Sequence, residues 1–237
     1  MSRRSVSVIL PTYNERECLE MLRPRLDRVL AAYPHQVIVV DDNSPDGTGA
    51  LVEAMGPPGA YQLIRRPSRQ GLSSAVLEGF ARSTGEVIAV MDADGSHPPE
   101  MLPALLEPVM ERRAEFVLGS RYLPGGADEG LGHGRKLMSS IAAALVRPLT
   151  RVSDPMSGFF SLDRKILDRA RLAPTGFKIG LEVMVKCRPK PMFEVPFRFQ
   201  RRLAGESKLG ALEVGSYLRH LRRLYGWSLA RRASSTR

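Results

Sequence analysis

The chain has 237 residues, with 35 lysines and arginines against 25 aspartates and glutamates, for a formal net charge of +10. An apolar fraction of 43% and a charged fraction of 25% are those of a globular domain, which excludes collagen-like, disordered and disulfide-scaffold classes. Cys18 and Cys187 lie far apart and outside any Cys-x-x-Cys spacing, so neither a zinc site nor a disulfide framework is supported and two reduced thiols are expected.

The residues from Met1 to Ser5 lead into a short alternating run and not into an apolar signal core. The longest apolar run, Ile141 to Val146, falls far short of the ~20 residues a membrane span needs, and the chain is expected to span no bilayer. Ser5 to Leu10 is short and β-branched and is cut off by Pro11, which predicts the first strand. Arg16 to Ala32 has helical spacing of Leu19, Leu22, Leu26, Val29 and Leu30, with Pro24 expected to break or kink it. Gln36 to Val40 is continuously apolar, as expected of a parallel strand covered on both faces. It ends on Asp41-Asp-Asn-Ser-Pro-Asp-Gly47, a dense turn signal, with Thr48 expected to cap the next helix.

Tyr61 to Ile64 reads as a weaker strand and Leu72 to Ala81 as a helix. Glu86 to Met91 is a second fully apolar strand and stops at Asp92-Ala-Asp-Gly95. Pro98 or Pro99 opens a helix running to about Glu111, and Phe116 to Gly119 is another strand. Beyond it the pattern loosens. A Gly-rich loop spans Pro124 to Gly134 and is expected to be mobile. A helix from about Arg135 to Val146, a turn at Asp154 to Gly158, a strand near Phe193 to Phe199 and a last helix from about Leu212 complete the chain. No internal repeat is present. Strands alternating with helices predict an α/β domain with a mostly parallel central sheet and helices on both faces.

Ligands of such sheets bind beyond the carboxyl ends of the strands. The polar clusters Pro11-Thr-Tyr-Asn-Glu15, Asp41-Asp42 and Asp92-Ala-Asp94 all fall there. Asp92 and Asp94, one residue apart where a strand stops, face the same side and place two anions at the mouth of the sheet. Hard oxygen donors in that position suit Mg²⁺ or Mn²⁺, which bind one or two carboxylates together with substrate phosphates. A solvated turn is the alternative, with Asp94-Gly95 supplying only a positive φ. Neither a Gly-x-Gly-x-x-Gly loop after a strand nor a Gly-x₄-Gly-Lys-Ser/Thr loop occurs, so a diphosphate held by a metal and Arg or Lys remains.

Pro11-Thr-Tyr-Asn-Glu15, Asp41-Asp-Asn-Ser-Pro-Asp-Gly-Thr48, Asp92-Ala-Asp94 with His97-Pro-Pro-Glu100, Gly119-Ser-Arg-Tyr122 and Gly205-Glu-Ser-Lys208 occur in one order. This set resembles family 2 glycosyltransferases of the dolichyl-phosphate mannose synthase (polyprenyl-phosphate glycosyltransferase) type, over about residues 5 to 213. The resemblance implies a single GT-A-like (Rossmann-like) catalytic domain over residues 1–210. By position, Pro11, Tyr13, Glu15, Val40 and Asp42 would cradle the nucleoside of a nucleotide-sugar donor. Asp92, Ala93 and Asp94 would bind the sugar-nucleotide, with Asp92 and Asp94 on the divalent ion. Arg121, Arg202 and Lys208 would hold the donor phosphates, and Arg121, Arg135 and Ser139 the phosphate of a polyprenyl phosphate acceptor. Asp94, Arg121 and Arg202 would be the catalytic set. Family members often read Asp-Ala-Asp-Leu-Gln-His, with Gln helping to bind the metal. Here Gly95-Ser96 stands in place of Leu-Gln, and the shorter serine bears on metal and donor choice.

A lipid monophosphate is anionic near neutrality and attacks without a general base, inverting the anomeric centre. The chain has no Glu-Asp dipeptide and no Gln-x-x-Arg-Trp, its one tryptophan being Trp227, which favours a phosphate over a hydroxyl acceptor. The expected reaction moves a hexose, mannose from GDP-mannose, onto a dolichyl or undecaprenyl phosphate. A UDP-sugar donor or a hydroxyl acceptor on the same fold is an alternative. The +10 charge leaves a nucleic-acid-binding protein as a distant third, although no helix-turn-helix or aromatic-studded strand is visible and no nucleic-acid partner is expected.

Residues 211–237 carry Val214, Tyr217, Leu218, Leu221, Leu224 and Tyr225 on one stripe, flanked by Arg219, Arg222 and Arg223 and followed by Arg231 and Arg232. This C-terminal amphipathic helix either packs on the domain or lies on anionic lipid. A lipid acceptor requires membrane access, so the expected location is the cytoplasmic face of a membrane, held peripherally or through a separate membrane subunit. His97 is expected only to shape its turn, and His35 and His133 to lie in loops.

Overall fold

The structure, a computed structural model, describes residues 3–55, 60–129, 141–173, 178–203 and 211–235, with side chains of the last segment described for 215–231. Of the expected site residues, Arg135, Ser139 and Lys208 lie outside the described residues, as does the start of the helix expected from Arg135.

A seven-stranded sheet has the order β3-β2-β1-β4-β7-β5-β8. Its strands are β1 (Val6–Thr12), β2 (His35–Asp41), β3 (Tyr61–Arg65), β4 (Val87–Val90), β5 (Phe116–Ser120), β7 (Phe160–Asp163) and β8 (Met192–Pro196). A separate parallel pair joins β6 (Ala127–Asp128) to β9 (Arg198–Phe199). β1, β2, β3 and β4 run parallel, and β7 alone lies antiparallel between β4 and β5. β8 is again parallel to β5. The carboxyl ends of every strand of this sheet except β7 therefore share one edge, where the expected site residues collect.

Helices cover both faces. α1 (Arg16–Leu30), α2 (Thr48–Glu53) and α4 (Leu102–Met110) bury Leu19, Leu22, Leu26, Val52, Leu105 and Leu106 against Val8, Leu10, Val39 and Ala89. On the other face, α3 (Leu72–Arg82), helical residues 141–146 (α5), α6 (Ile179–Cys187) and α7 (Ala211–Ser235) pack on Ile9, Ile38, Val40, Ile88 and Phe160. Residues Val87 to Val90 are all buried, which is why β4 shows no alternation.

Several local expectations change. Pro24 sits inside α1 without ending it. Its ring is on the solvent face, while Leu19, Leu22, Leu26 and Leu30 hold the other face to the core. Thr48 is the first residue of α2 and not its cap; Asp46 Oδ1 accepts from Thr48 N at 2.9 Å instead. Asp46 Oδ2 also accepts from Arg16 N at 3.1 Å, so one carboxylate caps two helices. Pro99–Met101 forms a 3₁₀ turn ahead of α4. The strand expected near Phe193 to Phe199 is two, β8 and β9, because Phe197 turns into the core between them. His35 opens β2 and is no loop residue.

In α7, Tyr217, Leu221 and Leu224 are buried against the domain, and Tyr217 and Tyr225 donate to the carbonyls of Ala142 and Leu145 at 2.8 and 2.6 Å. Leu218 and Leu229 face outward, 52% and 63% exposed, beside exposed Arg219, Arg222 and Arg223. Among the described residues no helix is long and apolar enough to cross a membrane.

Candidate active site

The loops after β1 and β2 are tied to each other before any ligand is considered. Asn14 N donates to Ser44 Oγ at 2.9 Å and Glu15 N to Thr48 Oγ1 at 3.1 Å. Asp41 is consumed by the turn, accepting from Thr12 Oγ1 at 3.1 Å and from Ser44 N at 3.0 Å. Asp42 is buried and accepts from Gly71 N at 2.9 Å and Gln70 N at 3.2 Å, and it pairs with the guanidinium of Arg66. Arg66 is itself 3% exposed and also reaches Gln70 and Ser74. Sequence reasoning passed over Arg66, since its partners come from β2 and α3. Tyr13 carries the Arg69 guanidinium over its ring at 4.6 Å. Val40 and Ala93 are buried in the core.

The turn after β4 holds the acid pair. Asp94 Oδ1 accepts from Ser96 N at 2.9 Å and from Ser96 Oγ at 2.6 Å. Asp94 Oδ2 pairs with Arg202 Nη2 at 2.9 Å, and Arg202 Nη1 reaches Glu15 Oε1 at 3.5 Å. Ser96, where the family often has Gln, is fully buried and spends its hydroxyl on orienting Asp94. Gly95 has φ +81°, and a Cβ there would meet Leu203 Cγ at 2.4 Å, so the turn needs glycine on both counts. Leu203 N donates to Asp94 O at 2.9 Å and Gln200 N to Ser96 O at 3.0 Å, which lays residues 200–203 over the turn.

Asp92 is half-buried and lies beside His97. Burial raises its pKa and Asp94 adds to this, while His97, Lys178 and Arg202 oppose. His97 does more than shape a turn. Asp92 N donates to its Nδ1 at 2.9 Å, placing the imidazole proton on Nε2, and burial holds the ring neutral. The ring stacks on Phe159 at 4.8 Å and meets Phe197 and Phe199 edge-on.

The turn from Asp154 to Gly158 runs between Arg121 and the acid turn: Asp154 pairs with Arg121, and a Cβ on Gly158 would stand 3.7 Å from the His97 ring and 3.8 Å from Asp92 Oδ1. Asp154 is fully buried and takes Arg121 in a two-pronged pair, Nε at 2.7 Å and Nη2 at 2.8 Å. Burial opposes the charge of Arg121, but the Asp154 bonds outweigh it and its pKa is raised. Arg121 also stands 3.4 Å from Asp128 and lies over the Tyr122 and Phe199 rings. Glu194, from β8, accepts from Ser153 N and Asp154 N and fixes that turn. Lys178 Nζ donates to Met156 O; burial pushes its pKa down to about 8, with Arg121 acting in the same sense and Asp92 and Asp154 against. Asp154, Glu194 and Lys178 were invisible as site residues, because their signal is a partner distant in sequence.

The structure thus joins Glu15, Asp94 and Arg202 directly, and joins Asp92 through His97 and Phe199 to Arg121. Two carboxylates on one turn, with a cation already lodged against Asp94, form a donor set suited to Mg²⁺ or Mn²⁺. Among the described residues no group of three or more histidine, cysteine, aspartate or glutamate side chains is placed to hold a metal ion.

The model of glycosyl transferase family 2 matches residues 7–171, from β1 to beyond β7. The chain belongs to that family. Among characterised relatives, the dolichol-phosphate mannosyltransferase of Pyrococcus furiosus is 43% identical over 226 residues, covering 94% of this chain and 64% of that protein. The chain therefore spans just under two thirds of that relative's length. The dolichol-phosphate mannosyltransferase of Saccharomyces cerevisiae is 42% identical over 92% of this chain and 86% of its own. The polyprenol monophosphomannose synthase of Mycolicibacterium smegmatis is 37% identical over 87% and 82%. Glucosyl-3-phosphoglycerate synthase from Mycobacterium tuberculosis, solved with Mn²⁺, UDP and phosphoglyceric acid, has a TM-score of 0.67 at 22% identity, over 94% of this chain and 77% of that one. That likeness establishes the GT-A-like fold.

Proposed function

We propose that this chain is an inverting, divalent-metal-dependent hexosyltransferase that moves mannose from GDP-mannose to the phosphate of a polyprenyl or dolichyl phosphate. The observation that carries this reading is the Glu15–Arg202–Asp94 link beside the buried Arg121–Asp154 pair, in a chain 37–43% identical to lipid-phosphate mannosyltransferases. Pro11, Tyr13, Glu15, Val40 and Asp42 hold the nucleoside. Asp92 and Asp94 hold Mg²⁺ or Mn²⁺, which when bound neutralises the charge that develops on the departing diphosphate. Arg121, Arg202 and Lys208 bind the diphosphate oxygens, and Arg121, Arg135 and Ser139 orient the acceptor phosphate. That acceptor is already an anion, so the protein has no proton to remove. Its task is to bring two anions together and to aim one at the anomeric carbon.

Exposed Leu218 and Leu229, with Arg219, Arg222 and Arg223 on the outer edge of α7, support a peripheral position at the cytoplasmic face of a membrane or on a membrane subunit. Labelled GDP-mannose, a polyprenyl phosphate and Mg²⁺ should yield a lipid-linked mannose with inverted configuration. Absence of lipid-linked product from every GDP- and UDP-sugar overturns the reading, and product on a hydroxyl acceptor without lipid phosphate replaces it.

A further inference from the structure

Asp94 divides its two oxygens between unlike partners. Oδ1 is fixed by Ser96 N and Oγ, neighbours on the same turn. Oδ2 is held at 2.9 Å by Arg202, which comes from a segment more than a hundred residues away and also reaches Glu15 at 3.5 Å. The backbone of that segment is pinned at Gln200 and Leu203, on both sides of Arg202. The Arg202 side chain remains 29% exposed, against 7% for Arg121. Its guanidinium is therefore anchored at the root and exchangeable at the tip.

A guanidinium and a divalent ion compete for one carboxylate oxygen, because the two cations repel each other. A diphosphate, in contrast, offers the paired oxygens that a planar guanidinium binds best. We propose that Arg202 is a built-in counter-cation of the acid turn: it neutralises Asp94 and Glu15 until the ion displaces it, and it then passes to the diphosphate of the donor. This rests on the reading of Asp94 as a metal ligand. Arg202 in this role lowers the affinity for the bare ion and raises that for the ion with a nucleoside diphosphate, so the two bind together more readily than either binds alone.

The test is Mn²⁺ binding to the full chain, read from the spectrum of free Mn²⁺ by electron paramagnetic resonance, with and without GDP. Arg202→Gln should bind Mn²⁺ alone roughly three- to tenfold tighter than the parent, the scale of one released ion pair. The same variant should bind GDP with Mn²⁺ about tenfold more weakly. Arg202→Lys, which keeps the charge but cannot bridge two carboxylates, should fall between. An unaltered melting temperature shows that these exposed-loop variants are folded. Equal or weaker Mn²⁺ binding by Arg202→Gln, with binding abolished in Asp94→Asn, overturns the counter-cation role alone. Mn²⁺ binding that survives Asp94→Asn overturns the metal reading beneath it.

Discussion

The turn that follows β5 presents an arginine of its own, Arg121, and the turn that follows β4 is met by Arg202 from beyond β9; the two guanidinium groups are held in opposite ways. After β5, Arg121 is 9% exposed, gripped by both oxygens of a fully buried Asp154, and covered by aromatic rings. After β4, Asp94 is met by Arg202, whose side chain stays partly in solvent and reaches both Asp94 and Glu15. A buried guanidinium with a matched carboxylate is a fixed template, since separating the pair strands a charge in the interior. A partly exposed guanidinium shared between two acids is only weakly held, since water and screening reduce the cost of letting go. The same residue type thus supplies a rigid wall at one end of the cleft and a movable cation at the other.

The contrast can be broken most severely at the acid turn. Asp94→Asn should leave the fold intact, because the amide oxygen still accepts from Ser96, yet lower transfer by about 10³-fold in the labelled-mannose assay. A loss under tenfold would remove Asp94 from the chemistry. Next is stability. Asp154→Ala leaves Arg121 buried with Asp128 as its remaining carboxylate among the described residues and should cost about 3–5 kcal/mol in denaturant unfolding. Arg202→Ala should cost about 0–1 kcal/mol. Equal losses from the two would erase the distinction between wall and movable cation.

Ser96→Ala should have a smaller effect, removing the hydroxyl bond to Asp94 but keeping the Ser96 N–H bond. A fall in melting temperature of about 4 °C and a three- to tenfold drop in kcat/KM are expected, roughly the worth of one hydrogen bond to a charged group. The smallest effect concerns pH. Lys178 in the folded chain titrates near 8, below its unfolded value of about 10.4, so the unfolded state binds more protons between these limits. Stability should therefore gain about 1 kcal/mol from Lys178 as pH rises from 8 to 10, after allowance for solvent screening. Subtracting the melting curve of Lys178→Met at each pH isolates this gain from that of other titrating groups, and a flat difference would show that the ammonium is well solvated.

The half of the sheet running β3-β2-β1-β4 was readable from the sequence, because parallel strands covered on both faces are plain apolar runs ended by turn residues. The half containing β7, β5 and β8 was readable only in part. β7 is four residues long and enters between two strands against their direction, which no local pattern announces. α6 buries Ile179, Leu181, Glu182, Val183, Met184, Val185 and Cys187, so it has no polar face to reveal a helical period. Glu182 is accommodated there by Lys186 and His220, and His220 comes from α7. In α7 the stripe of Tyr217, Leu221 and Leu224 was legible, but whether it met the domain or a lipid was not, since both would bury the same side chains.

The sequence alone determined the succession of strands and helices from β1 to β5 and the placing of Asp41, Asp42, Asp92, Asp94 and Arg121 where strands end, because strand period and turn chemistry act over a few residues. Tertiary structure decided which of these groups hold one another. Asp42 is bound by Arg66, Arg121 by Asp154, and Asp94 by Ser96 and Arg202. Except for Ser96, those partners are distant in the chain. Whether a charge is locked or mobile depends on burial and on its counter-charge, which arise only once the chain has folded.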